Sequence, residues 1–377
     1  MTRKERIVAA INHNEVDKIP LMYRAREEMN RKLFNFLGFK DNNYKNVINF
    51  NNSLNIDNLI EEREVAKDKF THLIPKYIGP LNNDIVEIKD SDLSYVWGLG
   101  TKLVKTKYEE YIFWGATTPM KDFTSIKEIE NYPSPKLEYF DFSEMKIYPE
   151  LKKEFFYGTG ILSYLFMLSS WLRGMENFLM DMITGSKIAE AIVNKIGEFA
   201  VIINDEILNR FGEDLEYYAI WDDVASQQNM IMDPSLWRKY FKKWYKILID
   251  NARKHNLIIC YHLCGNITPI IPDLIEIGVQ VLDPIQTSAR NMDLLNLKKR
   301  FGKDLCFHGG IDVQQLLPKG TVNDIRLTVK QIKEIFELNG GLILGPSHRI
   351  TPDTPIKNIL ALYLKDGEIS NRNLNRK

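Results

Sequence analysis

The stretch Leu257-Ile258-Ile259-Cys260-Tyr261-His262-Leu263-Cys264-Gly265-Asn266 decides the fold. It reads as a buried β-strand that ends in a glycine turn. Side chains on a strand alternate faces, so His262 and Cys264, two apart, point the same way. A thiolate and an imidazole on one face at a strand's end make half of a zinc site. Taken alone, a His-x-Cys pair is as readily a small buried thiol beside a satisfied imidazole. The chain around it weighs towards the metal.

The same unit recurs on both sides. Tyr217 to Asp223 reads as a strand ending in paired acids, and Asp233-Pro234 opens a helix running to about His255. After the opening strand comes a helix from Pro269 to Ile277, stopped by Gly278. Val279 to Pro284, Asp304 to His308 and Gly341 to Gly345 are further strands. Asp293 to Phe301 and Thr321 to Leu338 are the helices between them, and Asp353-Thr354-Pro355 opens a last helix. Upstream, Tyr157 to Leu168 contains a strand, Trp171 to Met182 is helical, and Ser186 to Phe211 is one long amphipathic helix. Short apolar strands separated by amphipathic helices indicate an α/β protein with a parallel sheet buried on both faces. Each strand ends in polar or glycine residues. Both a TIM barrel and a doubly wound sheet gather function at such ends. The absence of Gly-x-Gly-x-x-Gly at a first strand turn, and of a P-loop, lowers the weight of nucleotide-binding versions.

The first half is less regular. Residues 2–13 form a helix, Asp17 to Tyr23 a turn and a short first strand, and Arg26 to Leu37 a helix stopped by Gly38. Residues 39–60 are rich in asparagine (among them Asn42, Asn43 and Asn58) and mix helix with loop. Residues 84–118, including Tyr95-Val96-Trp97, alternate polar and apolar groups and read as antiparallel hairpins inserted in the domain. Pro133 and Pro135 mark a surface loop.

Composition excludes several classes. The 377 residues hold 50 Lys plus Arg and 50 Asp plus Glu, so no bulk charge draws nucleic acid or an anionic membrane. The sparse, odd cysteine set (Cys260, Cys264, Cys306) is no disulfide framework and points to a reducing cytoplasm. The N-terminus lacks the apolar core of a signal peptide. No stretch approaches the roughly eighteen apolar residues of a membrane span.

If the strands close into a barrel, Asp222, Asp223, His262, Cys264, His308 and His348 converge on one mouth. His262, Cys264 and His348 match the three protein ligands of a catalytic zinc with an open position. Asp222 and Asp223 are candidate acid or base groups, one facing inward and the other structural, since adjacent strand residues face opposite ways. His308 either orients a ligand or sits at a crowded turn. Glu176 is acidic amid apolar residues, and a buried carboxylate needs a partner such as Arg173. Glu176, His308 and Tyr23 are the expected substrate contacts. Trp97, Tyr111, Trp114, Trp171 and Trp221 either line an apolar pocket or belong to the core.

The motifs Arg6-Ile7-Val8-Ala9-Ala10 with Asp17-Lys18-Ile19-Pro20, His262-Leu263-Cys264-Gly265-Asn266 and Phe307-His308-Gly309-Gly310-Ile311-Asp312 resemble the uroporphyrinogen decarboxylase superfamily. So do Asp273-Leu274-Ile275-Glu276-Ile277-Gly278 and Thr354-Pro355-Ile356-Lys357-Asn358-Ile359. The resemblance spans nearly the whole chain. It implies one (β/α)8 TIM-barrel domain over residues 1–377, with N-terminal helical and β-hairpin additions. One branch decarboxylates porphyrinogens without a metal and carries two arginines four apart near its N-terminus. Here Arg24 and Arg26 are two apart and are followed by Glu27 and Glu28, which would repel a polycarboxylate. The other branch holds zinc through His-x-Cys and a cysteine in a Gly-Pro-Gly-Cys turn. Here that turn reads Gly345-Pro346-Ser347-His348, with histidine in the cysteine's place. The resemblance therefore implies a zinc-dependent methyltransferase. It would exchange methyl between a methoxylated or methylated small molecule (or a thiol) and the corrinoid, a cobalamin, of a partner protein. A decarboxylase acting on a tetrapyrrole or other polycarboxylate, and a non-catalytic corrinoid- or tetrapyrrole-binding protein, are the alternatives.

Overall fold

Six parallel strands form the centre of the protein in the computed structural model, which describes residues 1–39, 44–57, 71–72, 74–80, 93–105, 110–114, 117–147 and 149–365. They are β1 (Gly158–Thr159), β2 (Tyr217–Trp221), β3 (Ile258–His262), β4 (Val281–Ile285), β5 (Cys306–Ile311) and β6 (Leu342–Pro346). Each pairs with the next in chain order. The first-strand segment extends this row past β6. Leu21 bridges Leu344 in parallel, and the Met22 N–H donates to the Leu344 carbonyl. The Asp57 N–H in turn donates to the Leu21 carbonyl.

Inward-facing side chains show why the row closes. Met22, Phe156, Tyr217, Ala219, Cys260, Val281, Cys306 and Ile343 come from every part of the sheet and pack as one interior cluster. The fold is a TIM barrel. Ile7 and Ile11, from the helix Arg3–Ile11, join the same cluster and close the barrel floor. Arg6 holds that helix in place by pairing with Asp17 (2.6 Å) and with buried Asp57. The opposite strand faces carry Tyr218, Ile220, Ile259, Tyr261, Leu282, Phe307, Leu342 and Leu344 into the core shared with the surrounding helices.

The helices begin and end where their sequence chemistry requires. Ser186 caps Lys187–Phe211, Asp233 caps a helix with Pro234 at its first position, and Asp293 caps Leu294–Phe301. Thr321 and Asp324 form a reciprocal capping box on Val322–Phe336. Gly38 and Gly278 end their helices in the left-handed region.

Three expectations are corrected. Tyr95-Val96-Trp97 lies in a 3-10 turn, Leu93–Trp97, with Trp97 buried against Phe199; Thr101–Lys105 and Glu110–Trp114 do form an antiparallel hairpin. Helix 171–182 is broken: Leu165–Arg173 and Met175–Thr184 meet at Gly174, whose φ of 81° is incompatible with a helix. The helix from Pro234 is divided at Phe241, whose φ of −113° departs from the regular helical value; its ring packs against Phe166 and Phe178. Asn42, Asn43, Asn58 and residues 84–92 lie outside the described residues, as do the side chains of Tyr111 and Trp114. No helix among the described residues is long and apolar enough to cross a membrane.

Candidate metal centre

The interior layer above the apolar floor is polar. Two residues beyond Ala219, Cys260, Val281 and Cys306 along their strands stand Trp221, His262, Asp283 and His308. The period-2 alternation carries these side chains inward as well. Together with Cys260 and Ala219 they line a small interior cavity.

His262 is the last residue of β3 and Cys264 follows two later. Gly265 turns the chain there at φ +86°, in close contact with the neighbouring loop. A Cβ at that position would lie 2.4 Å from the Ser226 carbonyl oxygen. His348 comes two residues after β6. The ligand atoms of His262, Cys264 and His348 all lie within 4.8 Å of one another. Cys264 Sγ is 3.8 Å from His262 Nε2. Zinc–sulfur and zinc–nitrogen bonds of about 2.3 and 2.0 Å fit such separations around one ion.

Which His262 nitrogen is free to bind a metal is decided by the other. His262 Nδ1 is 2.8 Å from Asp283 Oδ2, so Nε2 is left towards Cys264. Register places Asp283 directly beside His262 on the adjacent strand. The Trp221 ring stacks on the His262 ring at 4.6 Å and 29°, and the Arg24 guanidinium lies 5.9 Å over Trp221. Arg24 donates to Asp283 Oδ2 at 3.0 Å, and His308 Nδ1 meets Asp283 Oδ1. One buried carboxylate thus joins an arginine and two histidines.

The charges are set by this arrangement. Burial alone would lower His262, but the bonds to Asp283 and Cys264 outweigh it and hold its pKa well above the usual value. Burial raises the Cys264 thiol against the pull of His262. Burial, then the positive charges of His262, Arg24, Arg349 and Arg26, push His348 down to about 3. His348 is therefore a neutral imidazole, the form that binds a metal. Burial also works to raise Asp283, but Arg24 and the two histidines hold it well below the ordinary carboxylate value.

The expected acids separate. Asp223 faces the centre: its Oδ1 accepts from the Cys264 N–H at 3.1 Å. Asp222 is turned away and is corrected from a catalytic group to a structural one. Trp221 beside it points inward, so alternation sends Asp222 outward, where it is 1% exposed. It accepts from the Phe166 and Met167 N–H groups at 2.7 and 2.9 Å and from the Tyr245 hydroxyl, capping the helix Leu165–Arg173. Burial raises its pKa from about 3.8 to about 7, more than its hydrogen bonds lower it. The folded chain then keeps a proton that the unfolded chain has released. This stabilising contribution is full below about pH 4 and is lost as pH rises towards 7. In urea titrations, wild type is expected to lose about 2 kcal/mol between pH 5 and 8 relative to Asp222→Asn, which cannot ionise. A difference independent of pH would contradict the assignment.

Two expected substrate contacts lie elsewhere. Glu176 is exposed on the helix Met175–Thr184; Arg173 pairs instead with Asp181 at 2.8 Å and donates to three backbone carbonyls. Tyr23 is core: its ring packs on Phe50 and Tyr363 and its hydroxyl donates to Asn30 Oδ1 at 2.9 Å. The third, His308, is in the centre but is bound to Asp283. Of the aromatic residues, Trp97 belongs to the core and Trp221 to the site. Asp283 and Arg24 are the site residues that sequence reasoning passed over. The signal available for Asp283 was a lone acid inside the apolar run Val281-Leu282-Asp283-Pro284-Ile285, since a buried carboxylate requires partners.

Against known proteins, the family model described as Uroporphyrinogen decarboxylase (URO-D) matches residues 119–364, more than half of the chain. A solved structure, a methyltransferase from Methanosarcina mazei, aligns with a TM-score of 0.64 at 17% identity, over 100% of this chain and 99% of that one. At that identity the likeness is one of fold. No protein with a curated description matches the chain.

Proposed function

The chain belongs to the uroporphyrinogen decarboxylase family, and from that premise we propose that it is a zinc-dependent methyltransferase. It exchanges a methyl group between a small methoxylated or methylated molecule, or a thiol, and a corrinoid carried by a partner protein. The observation that supports this reading is the gathering of His262, Cys264 and His348 within 4.8 Å, with His262 Nδ1 already held by a carboxylate. Three ligands leave one position of a tetrahedral zinc for a reactant.

When bound, zinc supplies Lewis acidity at the heteroatom that loses or accepts the methyl group. Metal binding would displace the protons that His262 and Cys264 hold in the metal-free site. The resulting donor set of one thiolate and two neutral imidazoles would leave the ion a net positive charge, which suits an ether oxygen as well as a thiol. The remaining tasks belong to the chain. Asp283 and Trp221 fix the plane of His262. In demethylation the leaving heteroatom keeps the electron pair of its broken bond to carbon and needs a proton. Asp223, anchored on the Cys264 N–H, is the carboxyl placed to pass one.

The test is metal content by elemental mass spectrometry on protein purified without chelator. Wild type is expected to hold about one zinc per chain and Cys264→Ala almost none. Zinc-loaded wild type should then methylate a reduced corrinoid from a methoxylated compound. Zinc-free wild type would sink the reading and turn attention to carbon dioxide release from porphyrinogens or other polycarboxylates.

A further inference from the structure

We infer that His308 is a positioning residue for the metal centre, acting on His262 through Asp283; the inference rests on the zinc reading above. Both Arg24 and His262 contact Oδ2 of Asp283, whereas His308 Nδ1 holds Oδ1. A carboxylate gripped at one oxygen can still swing about its Cβ–Cγ bond. Gripping the second oxygen fixes its plane, and with it the direction in which His262 points Nε2.

The backbone is built to bring the pair together. Leu282 pairs with Phe307 and Ile285 with Gly309, so Asp283 and Pro284 on β4 stand opposite the single residue His308 on β5. Such a bulge re-aims a side chain locally. The His308 ring is 2% exposed, and its Nε2 has no hydrogen-bond partner among the described residues. Asp283 is therefore the only hydrogen-bonded anchor of the ring among the described residues, and His308 and His262 line the same small cavity. The His308 imidazole is thus tied to the site through the Asp283 carboxylate. Its one made contact leads to the metal ligand.

The experiment is zinc affinity by competition with a chromophoric chelator, together with the thiolate-to-cobalt absorption of the cobalt(II)-loaded protein. His308→Phe fills the same space without a donor. His308→Asn restores an N–H near the place of Nδ1. The expected result is a 10- to 100-fold loss of zinc affinity in the Phe variant with a shifted cobalt spectrum, and recovery of most of both in the Asn variant. If folded His308→Phe holds zinc within about twofold of wild type, with an unchanged cobalt spectrum, the inference is overturned and the zinc reading stands. If wild type itself takes up no zinc, both fall. Should the Phe variant fail to fold, His308→Gln, whose N–H lies nearer the place of Nε2, replaces it. Weaker binding in Gln than in Asn supports the inference, and equal binding overturns it.

Discussion

Asp283→Ala is expected to abolish zinc binding and to cost about 3–5 kcal/mol of folding stability, the usual range for removing one partner of a buried charge pair. The Asp283 carboxylate is 2% exposed and joins Arg24, which is 5% exposed, to His262 and His308. Its removal strands the Arg24 guanidinium inside the barrel and frees His262 to rotate or change tautomer. Asp283→Asn keeps the shape but forfeits the charge that balances Arg24, so it should fall between wild type and Ala. Urea denaturation and elemental analysis of all three proteins check this. An alanine variant with wild-type midpoint and full zinc content would show that the carboxylate holds neither the barrel interior nor the ligand.

Asp222→Ala is expected to lose a comparable 3 kcal/mol or more while leaving zinc affinity unchanged. The backbone N–H groups of buried Phe166 and half-buried Met167, at the start of the helix Leu165–Arg173, and the Tyr245 hydroxyl would lose their acceptor together. Each such orphan costs about 1–3 kcal/mol. Tyr245→Phe removes only one of the three donors and should be the milder change. The two aspartates are thus expected to contrast: one acid stabilises the barrel and orients His262, the other stabilises only. The outcome that would restore Asp222 to a chemical role is an alanine variant of normal stability whose turnover is lost.

The sequence was informative where the physics is local. Strand alternation put His262 and Cys264 on one side, and caps such as Ser186 and Thr321 marked helix starts to within a residue. The polar strand ends announced a barrel mouth, and His348 joins the cluster that the His-x-Cys pair begins. What was not legible depends on register between distant strands. Asp283 stands beside His262 only because β3 and β4 pair as they do, and no spacing within one strand carries that information. Glu176 misled for a related reason. Its apolar surroundings suggested burial, yet the helix that carries it starts at the break at Gly174 and leaves even Met175, Met180 and Ile183 exposed. Asp222 and Asp223 were distinguishable in principle by parity, but which of them faced the mouth followed from Trp221 seating on His262.

The closed floor has a consequence for traffic. Among the described residues Ile7 and Ile11 pack into the barrel interior at the end opposite His348, which leaves the mouth as the approach to His262, Cys264 and His348. On the proposed reading, a methyl donor and a methyl acceptor would share that doorway. Neither would approach through the apolar floor while the other held the open position, and a large partner seated at the mouth would also govern what leaves. An order of arrival would then follow from the shared mouth of the barrel.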